Sequence, residues 1–251
     1  MNKLRYINLG EIDPEFYSTC WEYPRIITPK NPTLFVFRVN KTTVARAGQE
    51  RLDEVMKTNE IPKGLKITRI YGKDSGGFLL TPDMVSFYIH FPAKLKNEFN
   101  KAMQVVVIKA LKQYNIKIEK QSNDLYFINK GKRKKFSGMM TYSFNKDWIT
   151  LAISILFKFD SELGSKIFKL DNKKFTKKGD IKDVNDIVGG LWEIDPEIDI
   201  DKVSETIAQK IGERFNLEIE KSDLTKNELL RMNKLANKLN NKEWQLYGKR
   251  P

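Results

Sequence analysis

The spacing of apolar residues changes period several times along this chain, and each change predicts an element. Thr33 to Val39 (Thr-Leu-Phe-Val-Phe-Arg-Val) gathers β-branched and aromatic residues, the composition of a strand. Leu65 to Ile70 alternates as a second strand, and Met84 to Phe91, closed by Pro92, forms a third. From Asn97 to Tyr114 the period lengthens. Phe99, Met103, Val106, Val107, Ala110, Leu111 and Tyr114 recur at helical spacing and predict the clearest helix. Strands are expected around Ile116–Glu119, Leu125–Ile128 and Phe136–Phe144, with Ile149–Phe159 extending the sheet. Lys130-Gly-Lys-Arg-Lys-Lys135 between them reads as a hairpin-like basic loop.

Val203–Phe215 reads as a helix, and so does the stretch after Thr225. There Thr225-Lys-Asn-Glu228 has capping-box spacing, and Leu229, Met232, Leu235, Ala236 and Leu239 form the expected buried stripe. A further helix is expected from Gln49, with Leu52, Val55 and Met56 inward. The region 160–200 has little period: a lysine-rich stretch at 173–178 precedes an acidic one from Asp195 to Asp201. Strands interleaved with a few helices, without repeats or an evident linker, predict an α+β fold of mixed, mainly antiparallel sheets flanked by helices. The 251 residues are read as a single domain, 1–251.

Composition narrows the function classes. No apolar run approaches the ~20 residues of a membrane helix, and the first residues lack the apolar stretch of a signal peptide, so a soluble, cytoplasmic protein is expected. One cysteine, Cys20, excludes an internal disulfide framework and Cys-cluster zinc sites. One histidine, His90, argues against His-rich metal sites and His-based triads. Both are read as structural, Cys20 as a small buried side chain and His90 as part of an apolar strand. The net charge of +13 suits a nucleic-acid binder, but it suits equally an enzyme that handles adenylates or docks an acidic carrier domain. The aromatics sit at core spacings rather than among the cation clusters, which speaks against nucleic acid as the main partner.

Four features offer chemistry. Ser75-Gly76-Gly77 follows a strand; paired glycines let backbone amides approach an anion, although most such pairs are simply turns. Asn123-Asp124 opens a strand, where an amide and a carboxylate suit a hydrated magnesium ion and phosphate oxygens; a self-satisfied turn is the common alternative. Lys135, ahead of Phe136-Ser137-Gly138, is placed to neutralise an acyl-phosphate oxygen, or is one more solvated lysine in a basic run. Trp244-Gln-Leu-Tyr-Gly-Lys-Arg-Pro251 is an aromatic-rich tail, suited equally to a packed cap with a basic end.

Taken in order, these landmarks resemble the lipoate–protein ligase family, of the group that also holds biotin–protein ligases and octanoyltransferases. The resemblance rests on Gly48-Gln49 with Glu54-Val55, Ser75-Gly76-Gly77 with Asp83, Asn123-Asp124-Leu125, Lys135-Phe-Ser-Gly138, and Trp244 with Tyr247-Gly-Lys-Arg-Pro251, across about residues 33–251. It implies a biotin/lipoyl ligase-like catalytic domain that uses ATP and Mg2+ to activate lipoate, or octanoate, as an acyl-adenylate. The acyl group then passes to a lysine of a lipoyl carrier domain, either a 2-oxoacid dehydrogenase acyltransferase subunit or the glycine-cleavage H protein. By position, Lys135 is the catalytic lysine. Arg69, Lys73, Ser75, Gly76, Gly77, Phe78, Asp83, Asn123, Asp124, Ser137 and Gly138 bind ligand, with Asp124 the magnesium candidate.

The chain also departs from the family pattern. Gly72 and Lys73 stand where an arginine pair is usual, Arg69 being a possible substitute; Phe78 replaces a third glycine, Pro82 a histidine, and Ser122 an arginine. No cysteine follows the Lys135 strand, so the thioester route of octanoyltransferases is not expected. The family commonly appends a small domain after a Gly-Lys-Thr-Pro segment. This sequence stops at Pro251, so the chain is expected to act as the large subunit of a split ligase with a small accessory partner. Two alternatives remain: a degenerate member or acyltransferase without ATP-dependent activation, and a basic nucleic-acid-binding protein.

Overall fold

The computed structural model describes residues 2–47, 56–70, 78–143, 146–169 and 183–241. In chain order its elements are strand β1 (Lys3–Ile12), helices α1 (Pro14–Trp21) and α2 (Tyr23–Ile26), and strands β2 (Thr33–Val39), β3 (Thr43–Ala47), β4 (Lys66–Ile70), β5 (Phe78–Leu80) and β6 (Met84–Pro92). Helix α3 (Lys96–Leu111) follows, then strands β7 (Ile118–Gln121), β8 (Asp124–Asn129), β9 (Lys132–Ser143) and β10 (Trp148–Leu156). Helices α4 (Ser161–Ile167) and α5 (Ile200–Phe215), strand β11 (Glu218–Lys221) and helix α6 (Lys226–Leu239) complete the described chain.

Eight strands form one sheet in the order β11-β1-β2-β6-β10-β9-β8-β7, and β4-β3-β5 form a second. In the large sheet β1 runs parallel to β11 and β2, and the other pairings are antiparallel. This is the mixed, mainly antiparallel α+β fold that the residue pattern predicts.

Both faces of the large sheet are covered. Ile149, Leu151, Ile153 and Ile155 of β10 join a core with Phe99, Met103 and Val107 of α3 and Val203, Ile207 and Ile211 of α5. Ala152 and Leu156, from the alternate positions, join Tyr17 and Trp21 of α1, Met232 of α6, and Ala45 and Leu80 of the small sheet. Double coverage explains why β2 and β6 read as near-continuous apolar runs rather than as alternation.

Three expectations change, and two elements were not anticipated. The α-helix from residue 96 ends at Leu111 and closes as a 3-10 turn, Lys112–Tyr114, because Asn115 adopts the left-handed conformation (φ 53°). The basic stretch 130–135 is mostly strand: Lys130 and Gly131 alone make the turn, with φ of 47° and 76°, the mirror-image geometry suited to a tight hairpin. Leu229, expected inside, is 44% exposed, because Glu228 takes the inward position one residue earlier. Strand β1 and helix α1 escape the periodicity. A bulge between Asn8 and Gly10 breaks β1's alternation, although Pro14 at the start of α1 is a readable signal. The helix expected from Gln49 lies outside the described residues.

Candidate active site

The site forms where β8 and β9 pair. Lys135 and Gly138 are three residues apart, so in a regular strand they face opposite ways. Here a bulge intervenes. Leu125 pairs with Ser137 and Tyr126 with Lys135, leaving Phe136 as the extra residue, and Phe136 drops into the core. Lys135 and Gly138 thereby share a face. A Cβ on Gly138 would lie 3.3 Å from both the Lys135 Nζ and the Asp124 Oδ1. Asp124, opposite Gly138, pairs its Oδ1 with the Lys135 ammonium at 2.8 Å, and both side chains are about one-third exposed. The other carboxylate oxygen accepts from the Tyr126 hydroxyl at 3.3 Å, and the Arg133 guanidinium lies 3.7 Å over the Tyr126 ring. Burial, and then the Asp124 charge, pushes the Tyr126 hydroxyl above its ordinary pKa.

The bulge also determines where the Lys135 backbone finds partners. Its N–H donates to the Ile187 carbonyl at 2.8 Å, and its carbonyl accepts from the Gly189 N–H at 3.1 Å. That second segment is anchored by the rest of the basic run. Lys132 pairs with Asp186, and buried Lys134 reaches both Glu193 (2.6 Å) and Asn185 (3.0 Å). Arg133 pairs with Glu119 at 3.0 Å. The cations of 132–135 thus have acidic partners within the fold, which weakens the nucleic-acid reading.

Beyond Gly138 the register places Asp124, Gly138, Ser154, Ser86 and Phe37 in one row across five strands. Side chains in a row share a face, so Gly138 and the two serines present only short side chains on the face that carries the Asp124–Lys135 pair. The Ser86 and Ser154 hydroxyls are 3.4 Å apart; the Tyr17 side chain of α1 is buried, and burial raises its hydroxyl pKa. The next row, Phe35, Tyr88, Ala152 and Met140, rises as an aromatic and apolar wall. Edge-to-face contacts of Tyr88 with Tyr17, Trp21 and Phe37 hold that wall in place.

The structure therefore brings together Lys135, Asp124 and Gly138. Asn123 adjoins them through its carbonyl, which accepts from the Met139 N–H at 2.8 Å. Ser137 is buried and faces away from Gly138, on the α3 side of the sheet. Arg69 lies in β4 with its side chain buried and its carbonyl accepting from the Ser18 hydroxyl. Asp83, between β5 and β6, holds the end of β10 through the Phe157 N–H. Phe78 opens β5 and pairs with Ala45. Lys73, Ser75, Gly76 and Gly77 lie outside the described residues, as do the Gly48-Gln49 and Glu54-Val55 landmarks and the Trp244–Pro251 tail. Sequence reasoning missed Tyr126, Arg133 and the 185–193 segment. The Gly189-Gly190 pair was its available signal, since Gly190 packs on the Phe157 backbone with no room for a side chain.

Cys20 and His90 serve the frame. Cys20 is fully buried, and burial pushes its thiol up. His90 is also fully buried, with Nδ1 2.9 Å from the Thr150 hydroxyl, and burial depresses its pKa to about 3. Among the described residues no helix is long and apolar enough to cross a membrane.

The fold is that of a lipoyl-ligase-type catalytic domain. Residues 25–212 match the family model of the lipoyl protein ligase A/B catalytic domain, and the chain belongs to that family. Its structure is similar to the bi-partite lipoate protein ligase of Thermoplasma acidophilum (TM-score 0.81, 17% identity, covering 100% of this chain and 99% of that one). It is also similar to a lipoate-protein ligase A bound with ATP (TM-score 0.78, 15% identity, 97% and 98% covered). A third similar structure is the lipoate complex of LipL1 from P. falciparum (TM-score 0.71, 18% identity, 99% and 74% covered). No curated protein matches the chain by sequence.

Proposed function

We propose that this protein activates lipoate, or octanoate, with ATP and transfers the acyl group to a lysine of a lipoyl carrier domain. The observation that carries the reading is the Lys135 ammonium, held 2.8 Å from Asp124 on the Gly138 face of a lipoyl-ligase-family domain. The chemistry takes two displacements. A carboxylate oxygen of the acid attacks the α-phosphorus of ATP and pyrophosphate leaves. The neutral amine of the carrier then attacks the acyl carbon, the acyl–oxygen bond breaks, AMP leaves and the amine gives up a proton. In both steps negative charge gathers on oxygens around one acyl-phosphate, and Lys135 is the cation placed to meet it. Asp124 keeps that cation aligned until phosphate oxygens replace it as partner.

Asn123 and Asp124 are the residues that would hold Mg2+, which when bound neutralises phosphate charge. One carboxylate and one amide suit an ion that keeps most of its shell as water and phosphate. Arg69, Lys73, Ser75, Gly76, Gly77, Phe78 and Asp83 complete the proposed ligand-binding set; Ser137, turned to the α3 side of the sheet, is left out of it. ATP in one structural relative, lipoate in another, and a third described together with its E2 lipoyl domain support these assignments. The similarity to a bi-partite ligase over 100% of this chain supports a separate small accessory subunit. The buried Cys20 speaks against a thioester route.

The test is incubation with lipoate, ATP, Mg2+ and an apo lipoyl carrier, with and without a candidate small subunit, followed by intact mass. One lipoyl amide on the carrier is expected, and Lys135→Ala should lower its rate by about 100-fold or more. A Lys135→Ala protein that works at the normal rate defeats the assignment. A wild-type chain that consumes no lipoate under any of these conditions defeats the function.

A further inference from the structure

Helix α6 presents a face that the rest of the described fold does not use. Met232, Leu235 and Leu239 point inward, whereas Leu229 and Leu230 are 44% and 68% exposed. Lys226, Leu230 and Lys234 follow one another at i, i+4 spacing, with Lys238 a turn further on, so cations flank the exposed leucine along the helix. Glu228, the one acid in α6, is buried against Arg5, leaving this surface wholly basic. Among the described residues none of Lys226, Lys234 and Lys238 has an ion-pair partner.

Beside this face, a slot of about 240 Å³ runs between the second half of α6 and the end of α2. Ile26, Leu235 and Leu239 line it as a small apolar cluster of their own. Its rim carries Arg25, Arg231, Lys234 and Lys238. Arg231 braces the slot by donating to the Ile26 carbonyl at 3.1 Å, and Arg25 is held by Glu22 at 2.6 Å. Two guanidinium groups are therefore fixed around the slot while two ammonium groups remain available.

We propose that this face docks a second protein through an acidic amphipathic segment, with an apolar side chain seated in the slot and carboxylates meeting the lysines. Charge complementarity selects the occupant. A second copy of this chain, itself at +13, brings like charge. The chain's own residues 242–251 carry three cations against one acid and fit no better. Nucleic acid would pair with the lysines but leave the leucines and the slot unused. A bilayer needs a continuous apolar stripe, and α6 turns most of its apolar residues inward. The proposal is independent of the acyl-transfer reading, because it concerns binding alone.

The test uses the full chain and a labelled synthetic peptide of roughly 18 residues, built from Glu, Ala and Leu with leucines at helical spacing. A peptide of the same composition with scrambled leucine positions is the control. Saturable binding is expected, at least about tenfold tighter than the control, and weakened about tenfold between roughly 50 and 300 mM salt. Lys234→Glu with Lys238→Glu should cost at least about tenfold, and Leu230→Ser should weaken binding separately. All these side chains are exposed, so an unchanged melting temperature confirms that the fold persists. Equal binding of both peptides, or indifference to the charge reversal, overturns the proposal. So does tighter binding to phosphatidylserine vesicles or to random duplex DNA.

Discussion

At the scale of single residues, the site depends on how little room Gly138 occupies. A methyl group there would stand 3.3 Å from the Lys135 ammonium and from an Asp124 oxygen, each the mobile end of a side chain. Both can retreat by a few tenths of an ångström, so the fold should tolerate Gly138→Ala. The alignment of the ammonium should not. Gly138→Ala is therefore expected to lower the acylation rate by about tenfold or more while the melting temperature stays within a few degrees. Steady-state acylation beside a thermal melt decides it, and a variant with unchanged turnover would show that the pair's position is irrelevant. Lys135, Asp124 and Gly138 were legible in sequence through their motif order. Their shared face was not, because it depends on the bulge at Phe136 and the pattern of side chains gives no sign of an extra residue. Ser137 shows the cost of that gap: its motif points to the site, while the register turns it to the opposite side of the sheet.

At the scale of elements, the capping box of α6 was readable and is present. The Thr225 hydroxyl accepts from the Glu228 N–H, and Glu228 returns a bond to the Thr225 N–H at 2.7 Å. Its second role was hidden, because the partners are far away in sequence. Arg5 of β1 reaches both carboxylate oxygens of Glu228, at 2.5 and 2.9 Å, and the Tyr23 hydroxyl donates to one of them. Burial alone would raise the Glu228 pKa, but these bonds outweigh it and hold the carboxyl at about 2, against an ordinary value of 4.5. The folded state thus keeps this group ionised where an unfolded chain protonates it. Its stabilisation is complete above pH 4.5 and disappears as pH falls toward 2. His90 acts earlier: buried neutral with a pKa near 3 against 6.5 unfolded, it makes stability decline from about pH 6.5 downward. Denaturant melts across this range should steepen below pH 4.5. Glu228→Gln should remove the steep part and lower neutral-pH stability by roughly 2–3 kcal/mol. If the mutant retains the wild-type acid profile, the network is not what ties α6 to the sheet.

At the scale of the whole molecule, the α+β architecture and most central strands were legible because doubly covered strands and long helices carry strong periodic signals. The tie between 185–193 and β9 was not, since a short segment paired by backbone has no period to read. That tie changes what the charge of +13 means. Lys132, Arg133, Lys134 and Lys135 each face an acid within the fold, so this cluster adds little to the outward field. Surface lysines without partners, such as those of α6, contribute more of it. If that field steers an acidic carrier, salt should act on one half of the reaction. The kcat/KM for the carrier is expected to fall about tenfold between roughly 50 and 300 mM salt, through slower association. In the proposed adenylation half, small substrates would meet Lys135, whose charge is already paired at close range, and the rate of that half, read by pyrophosphate exchange, should change much less. An equal loss in both halves would place the salt-sensitive charge inside the site. No loss in either would mean that the excess of cations takes no part in bringing the carrier in.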